Sequence, residues 1–107
     1  MKYFLMTVFL FATADAATIE CETLINLESV ASGSVATVKN VKLSVSAHPD
    51  VHAFVTETGS ENFLVEAFLP SLQMRIYAEG SLRAKSEKLT ASAWSRELMV
   101  DVVCKLK

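Results

Sequence analysis

Few residues in this chain could do chemistry, and the first candidates are its two histidines, His48 and His52. On a helix that spacing would bring both imidazoles to one metal ion. Pro49 stands between them, however, and their flanks read as strand and turn, so the helical geometry is excluded. On the two limbs of a tight turn the rings could still approach, with Asp50 and Glu57 as the nearby extra ligands. That arrangement would make a small metal-dependent hydrolase, the enzyme reading that the sequence offers. The competing expectation is a solvated turn without metal or catalysis, and the rest of the chain favours it. No serine lies in a Gly-x-Ser-x-Gly elbow. Glu20 and Glu22 share a strand face, but any wet β face has that spacing. With 3 glycines in total, no loop can cradle a phosphate. We therefore expect no enzyme, no cofactor and no metal site.

The two cysteines, Cys21 and Cys104, stand near opposite ends of the sequence. In an oxidising compartment a single pair allows a single connectivity, so a structural disulfide is expected. Ile19, Cys21, Thr23 and Ile25 share one face of an early alternating run. Leu98, Val100, Val102, Cys104 and Leu106 share one face of the last, which places both cysteines inward. Redox catalysis is not expected, because there is no Cys-x-x-Cys and no activating cation beside a helix start.

The compartment follows from residues 1–16. Lys2 precedes an apolar stretch from Tyr3 to Ala12, and Ala14-Asp15-Ala16 supplies an Ala-x-Ala exit. Those are the parts of a secretory signal peptide, with cleavage expected after Ala16. The apolar run is shorter than the roughly 20 residues that a bilayer span needs. Lipidation at Cys21 is not expected, since Thr18-Ile19-Glu20 precedes it where small residues are required. Asn26, Asn40 and Asn62 all lack a sequon hydroxyl. We expect an exported protein, in a bacterial periplasm or extracellular, without a membrane anchor in the mature chain. A formal charge of −2 with acids and bases interspersed argues against nucleic acid as a partner.

Residues 17–107 are expected to form a single all-β domain, an antiparallel sandwich or barrel. Period-two alternation is clearest over Val41–Ala47, Leu72–Glu79 and Leu98–Leu106. In the first run Val41, Leu43, Val45 and Ala47 share one face, opposite Lys42, Ser44 and Ser46. His48-Pro49-Asp50, Thr58 to Asn62, Pro70-Ser71 and Glu79 to Ser81 read as turns. Strands are predicted over 18–25, 35–47, 51–57, 63–69, 71–79, 81–85, 88–95 and 98–106. Residues 26–34 read as a long loop or one helical turn. Residues 86–99 read as strand in preference to an amphipathic helix, since serine and threonine are poor helix formers.

Four aromatic residues then stand out. Phe54 and Phe68 fall opposite the core-facing sets of their strands, while Tyr77 and Trp94 fall on mostly polar faces. If those faces are open, the rings mark a partner surface. If the central strands are covered on both faces, as the nearly all-apolar run Phe63–Leu69 suggests, the rings simply pack. Ser32-Gly33-Ser34 is similar to the Ser-Gly-containing loop of the small periplasmic lysozyme inhibitors, short β-barrels with a disulfide tying the chain ends. That likeness covers three residues, lacks the tyrosine-bearing pattern around the loop, and carries over no residue role. The reading is a non-enzymatic binding or envelope-associated accessory protein, with a periplasmic enzyme inhibitor as one version. Its partner would be a protein or another envelope component.

Overall fold

The computed structural model describes residues 17–107, so the expected signal peptide lies outside the described residues. The described residues form eight strands: β1 (Thr18–Ile25), β2 (Glu28–Ala36), β3 (Lys42–His48), β4 (Val51–Gly59), β5 (Asn62–Leu69), β6 (Met74–Ser81), β7 (Leu89–Trp94) and β8 (Met99–Leu106). They make two four-stranded antiparallel sheets, ordered β2-β1-β8-β7 and β3-β4-β5-β6. At the two corners β2 runs beside β3 and β6 beside β7, without a ladder between them. The perimeter therefore follows chain order all the way round, and β8 closes it by pairing with β1. This is a flattened up-and-down arrangement in which short connections always reach the neighbouring strand. Among the described residues no helix is long and apolar enough to cross a membrane.

Alternation positions the core. Phe63, Val65, Ala67 and Leu69 point inward from β5 and are buried, as are Val51, Ala53 and Val55 of β4. Val100, Val102 and Cys104 of β8 meet them from the other sheet. Cys21 and Cys104 face inward as expected and are bonded to each other. They stand directly opposite in the β1–β8 ladder with their Cα atoms 4.1 Å apart, so the disulfide lies on the closing seam. Leu82, in the connection from β6 to β7, plugs the same core.

Four segments depart from the sequence expectation. Residues 26–34 are neither loop nor helix: β1 and β2 form a hairpin whose two turn residues, Asn26 and Leu27, have φ of 53° and 70°. Positive φ at both central positions suits the right-handed twist of a two-residue hairpin. Asn26 also ties this turn to β8, donating its N–H to the Met99 carbonyl (2.7 Å) while its Oδ1 accepts from the Met99 N–H (2.9 Å). Ser32-Gly33-Ser34 consequently lies within β2 rather than in a loop.

The single strand expected over 35–47 is broken by a turn in which the Val41 N–H bonds the Val38 carbonyl (3.0 Å) and Asn40 takes a φ of 64°. That turn carries the chain from one sheet to the other. Within β3 a bulge between Ser44 and Ser46 resets the faces, because an extra residue on one strand flips the side chains that follow. Ser46 turns inward, where its hydroxyl is hydrogen-bonded to that of buried Thr23 at 3.4 Å, and Ala47 turns out.

No separate strand forms over 81–85: Ser81 ends β6, and residues 82–85 lie outside any strand. Glu87 Oε1 instead accepts from the N–H groups of Arg83 (2.6 Å) and Ala84 (3.1 Å), folding that stretch into a compact loop. β6 starts at Met74 rather than residue 71, because Pro70–Leu72 make one 3-10 turn and Gln73 takes a φ of 49°.

Candidate partner surface

Register decides which side chains become neighbours on the outer face of the β3–β6 sheet. His52 of β4 stands opposite Phe68 of β5, and Phe68 opposite Arg75 of β6. One step along, Phe54 stands opposite Glu66, and Glu66 opposite Tyr77. Phe54, Phe68 and Tyr77 thus share one face, with His52, Glu66 and Arg75 between and beside them. The fourth aromatic, Trp94, lies on the other sheet, next to Met99 at the end of β7. The structure therefore brings three of the four predicted rings together and leaves the fourth apart.

The face is organised rather than merely apolar. The Lys42 ammonium sits 4.7 Å from the centre of the Phe54 ring and 3.6 Å from Glu66 Oε2. A cation over an exposed ring contributes about 0.5–1 kcal/mol, and a surface ion pair usually less than about 1 kcal/mol. These contacts do little for stability but fix where the charges and the ring lie. His52 tilts against Phe68 with ring centres 6.5 Å apart. Phe54 and Phe68 are half-buried by their own neighbours, and Tyr77 is 71% exposed. The expectation that β5 is covered on both faces does not hold among the described residues: Leu64, Glu66 and Phe68 remain at the surface, partly exposed. The contributions of Lys42, His52 and Glu66 were hidden in the sequence, because they depend on cross-strand register.

The two histidines do not converge. His48 pairs with buried Val51, whereas His52 pairs with outward Ala47, so their side chains leave opposite faces of the hairpin. His48 Nδ1 accepts the Asp50 N–H at 3.1 Å, which shapes the turn. No group of three or more His, Cys, Asp or Glu able to hold a metal ion occurs among the described residues. Replacing both histidines by alanine is expected to leave stability within about 0.5 kcal/mol of wild type. Chelator should leave the thermal midpoint unmoved. A stoichiometric metal in untagged protein, lost in that variant, would reverse the assignment.

On the outer face of the other sheet lies a shallow groove of about 320 Å³, lined by Glu20, Glu22, Ser32, Lys88, Val103 and Lys105. Its charges partly cancel, with Lys105 Nζ 4.0 Å from Glu20 Oε1. Among the described residues no nucleophile–base pair is assembled there. Comparison with known proteins adds no relative: no family model matches the chain, and neither a curated protein nor a solved structure matches it.

Proposed function

We propose that this protein is a non-enzymatic binding protein of an oxidising, exported compartment such as a bacterial periplasm. It engages a protein or other envelope partner through the outer face of the β3–β6 sheet. The observation that carries this reading is the convergence of Phe54, Phe68 and Tyr77 on one open face, interleaved with Lys42, Glu66 and Arg75. Aromatic anchors within a polar surround are what protein interfaces select. The buried Cys21–Cys104 bridge supports the compartment, since such bonds persist where the environment is oxidising. An inhibitor of an envelope enzyme is one version of this reading, with the enzyme as partner.

Immobilised mature protein should retain its partner from the native compartment. Phe54→Ser with Phe68→Ser should lose it by roughly 30-fold, the loss of an interface anchor worth about 2 kcal/mol. Trp94→Ser, on the other sheet, should retain it. Equal retention by all three proteins would rule out this face.

A further inference from the structure

Four strands end the two sheets: β2 and β7 on one, β3 and β6 on the other. An unpaired edge is a template for another strand, and proteins blunt such edges with bulges, short strands or charge. β2 and β3 both carry irregular register, and they lie against each other at Gly33 and Val45. β7 is the shortest strand, 6 residues without a charge. β6 differs: it runs 8 residues in unbroken register with β5. Its charged residues are Arg75 and Glu79, both exposed, placed symmetrically about exposed Tyr77.

That spacing is self-complementary. Let β6 pair antiparallel with its own copy about a two-fold axis through residue 77. Position 75 then faces 79, and 79 faces 75. Arg75 meets Glu79 of the partner subunit, the reciprocal pair forms by symmetry, and Tyr77 meets Tyr77 of the partner subunit. Opposite charges directly across a strand pair favour that register, and like charges oppose it. Glu79 is already oriented: its Oε2 accepts from Asn62 Nδ2 (3.1 Å) and Thr58 Oγ1 (3.3 Å), leaving Oε1 for a guanidinium. Immediately past Glu79, β6 meets β7, where Leu89 Cδ1 lies 3.1 Å from a Cβ position on Gly80. Although β6 runs beside β7, no ladder joins them, and Arg75–Glu79 is the stretch taken to pair. None of the other three edge strands carries both an acid and a base.

We propose that a second copy of this chain docks on the β6 edge, making an isologous dimer with Tyr77 on its two-fold axis. The two β3–β6 sheets then become one continuous eight-stranded sheet, with both aromatic faces on the same side. This goes beyond the partner surface proposed above: it shares Arg75 and Tyr77 with that face but rests on the pairing of the β6 edge.

Cross-linking tests it. Directly opposed residues of an antiparallel pair have Cα atoms about 4.5–5.5 Å apart, within disulfide reach. Tyr77→Cys should give a disulfide-linked dimer on mild oxidation. Trp94→Cys, equally exposed but on the other sheet, should stay monomeric in non-reducing electrophoresis. Adding Arg75→Glu to Tyr77→Cys should slow cross-linking roughly ten-fold or more, because two attractions become two repulsions. Wild-type protein should sediment as a dimer and Arg75→Glu as a monomer. A monomeric wild type, equal cross-linking at positions 77 and 94, or no effect of Arg75→Glu would each overturn the proposal. These readouts are independent of partner retention, so failure here leaves the face test intact.

Discussion

Replacing Cys21 and Cys104 together by alanine is expected to lower the unfolding free energy by about 4 kcal/mol in non-reducing denaturant titrations. The two residues are 83 apart in sequence, so the bridge closes a loop over nearly the whole described chain. Loop-closure entropy for such a length is about 4–5 kcal/mol, gained by restricting the unfolded chain. Small domains have about 5–15 kcal/mol in total, which makes this the largest single-site effect expected here. The bridge also sits where the perimeter closes, between β1 and β8. Alanines there remove two buried sulfurs from the core, which acts in the same direction. The β1–β8 ladder hydrogen bonds remain, so β-type circular dichroism should persist at low temperature while the unfolding midpoint falls. A midpoint within about 1 kcal/mol of wild type would mean that the unfolded chain is not restrained by the bridge.

Gly33→Ala is expected to cost about 3 kcal/mol or more, although it adds a single methyl. Gly33 faces inward beside Cys21, at the corner where β2 passes β3. A Cβ there would fall inside the van der Waals envelope of the Val45 carbonyl oxygen, with the Val45 carbonyl carbon at 3.3 Å. The obstacle is backbone, which cannot rotate aside, so the two strands must separate and the sheets lose their contact at that corner. Gly59→Ala supplies the control. Its nearest neighbour is Asn62 Cβ at 3.9 Å, an ordinary contact, and its φ is not positive. That variant should stay within about 0.5 kcal/mol of wild type in the same titration. Similar midpoints for the two variants would refute close approach at the β2–β3 corner.

Much of the architecture is legible in the residues themselves. The alternation in Leu98–Leu106 places Val100, Val102 and Cys104 inward and Asp101 and Lys105 outward, as observed. Two cysteines, each on an inward face, sufficed for the bridge. Such inferences succeed because a strand's period of two is a property of its own backbone, so a one-sided core writes itself into the order of residues. β2 was illegible for the converse reason. Glu28, Ser29 and Ser32-Gly33-Ser34 have the composition of a loop, and they are held extended by the ladder to β1, with Gly33 required where the Val45 backbone passes too close for a side chain.

The candidate surface divides along the same line. That Phe54, Phe68 and Tyr77 lie opposite the core-facing residues of their strands was evident from spacing. That β5 stays open on its outer side was not, because Leu64 and Phe68 would suit a covered strand equally well. The bulge at Val45, which turns Ser46 in and Ala47 out, is likewise invisible to a period count and leaves His48 and His52 on opposite faces. The sequence by itself determined strand class, inward faces and the covalent tie, all consequences of local geometry and the cysteine count. Tertiary structure alone decided which faces and edges remain open, and so which rings and charges meet. That outcome belongs to register and to neighbouring strands, which no single segment encodes.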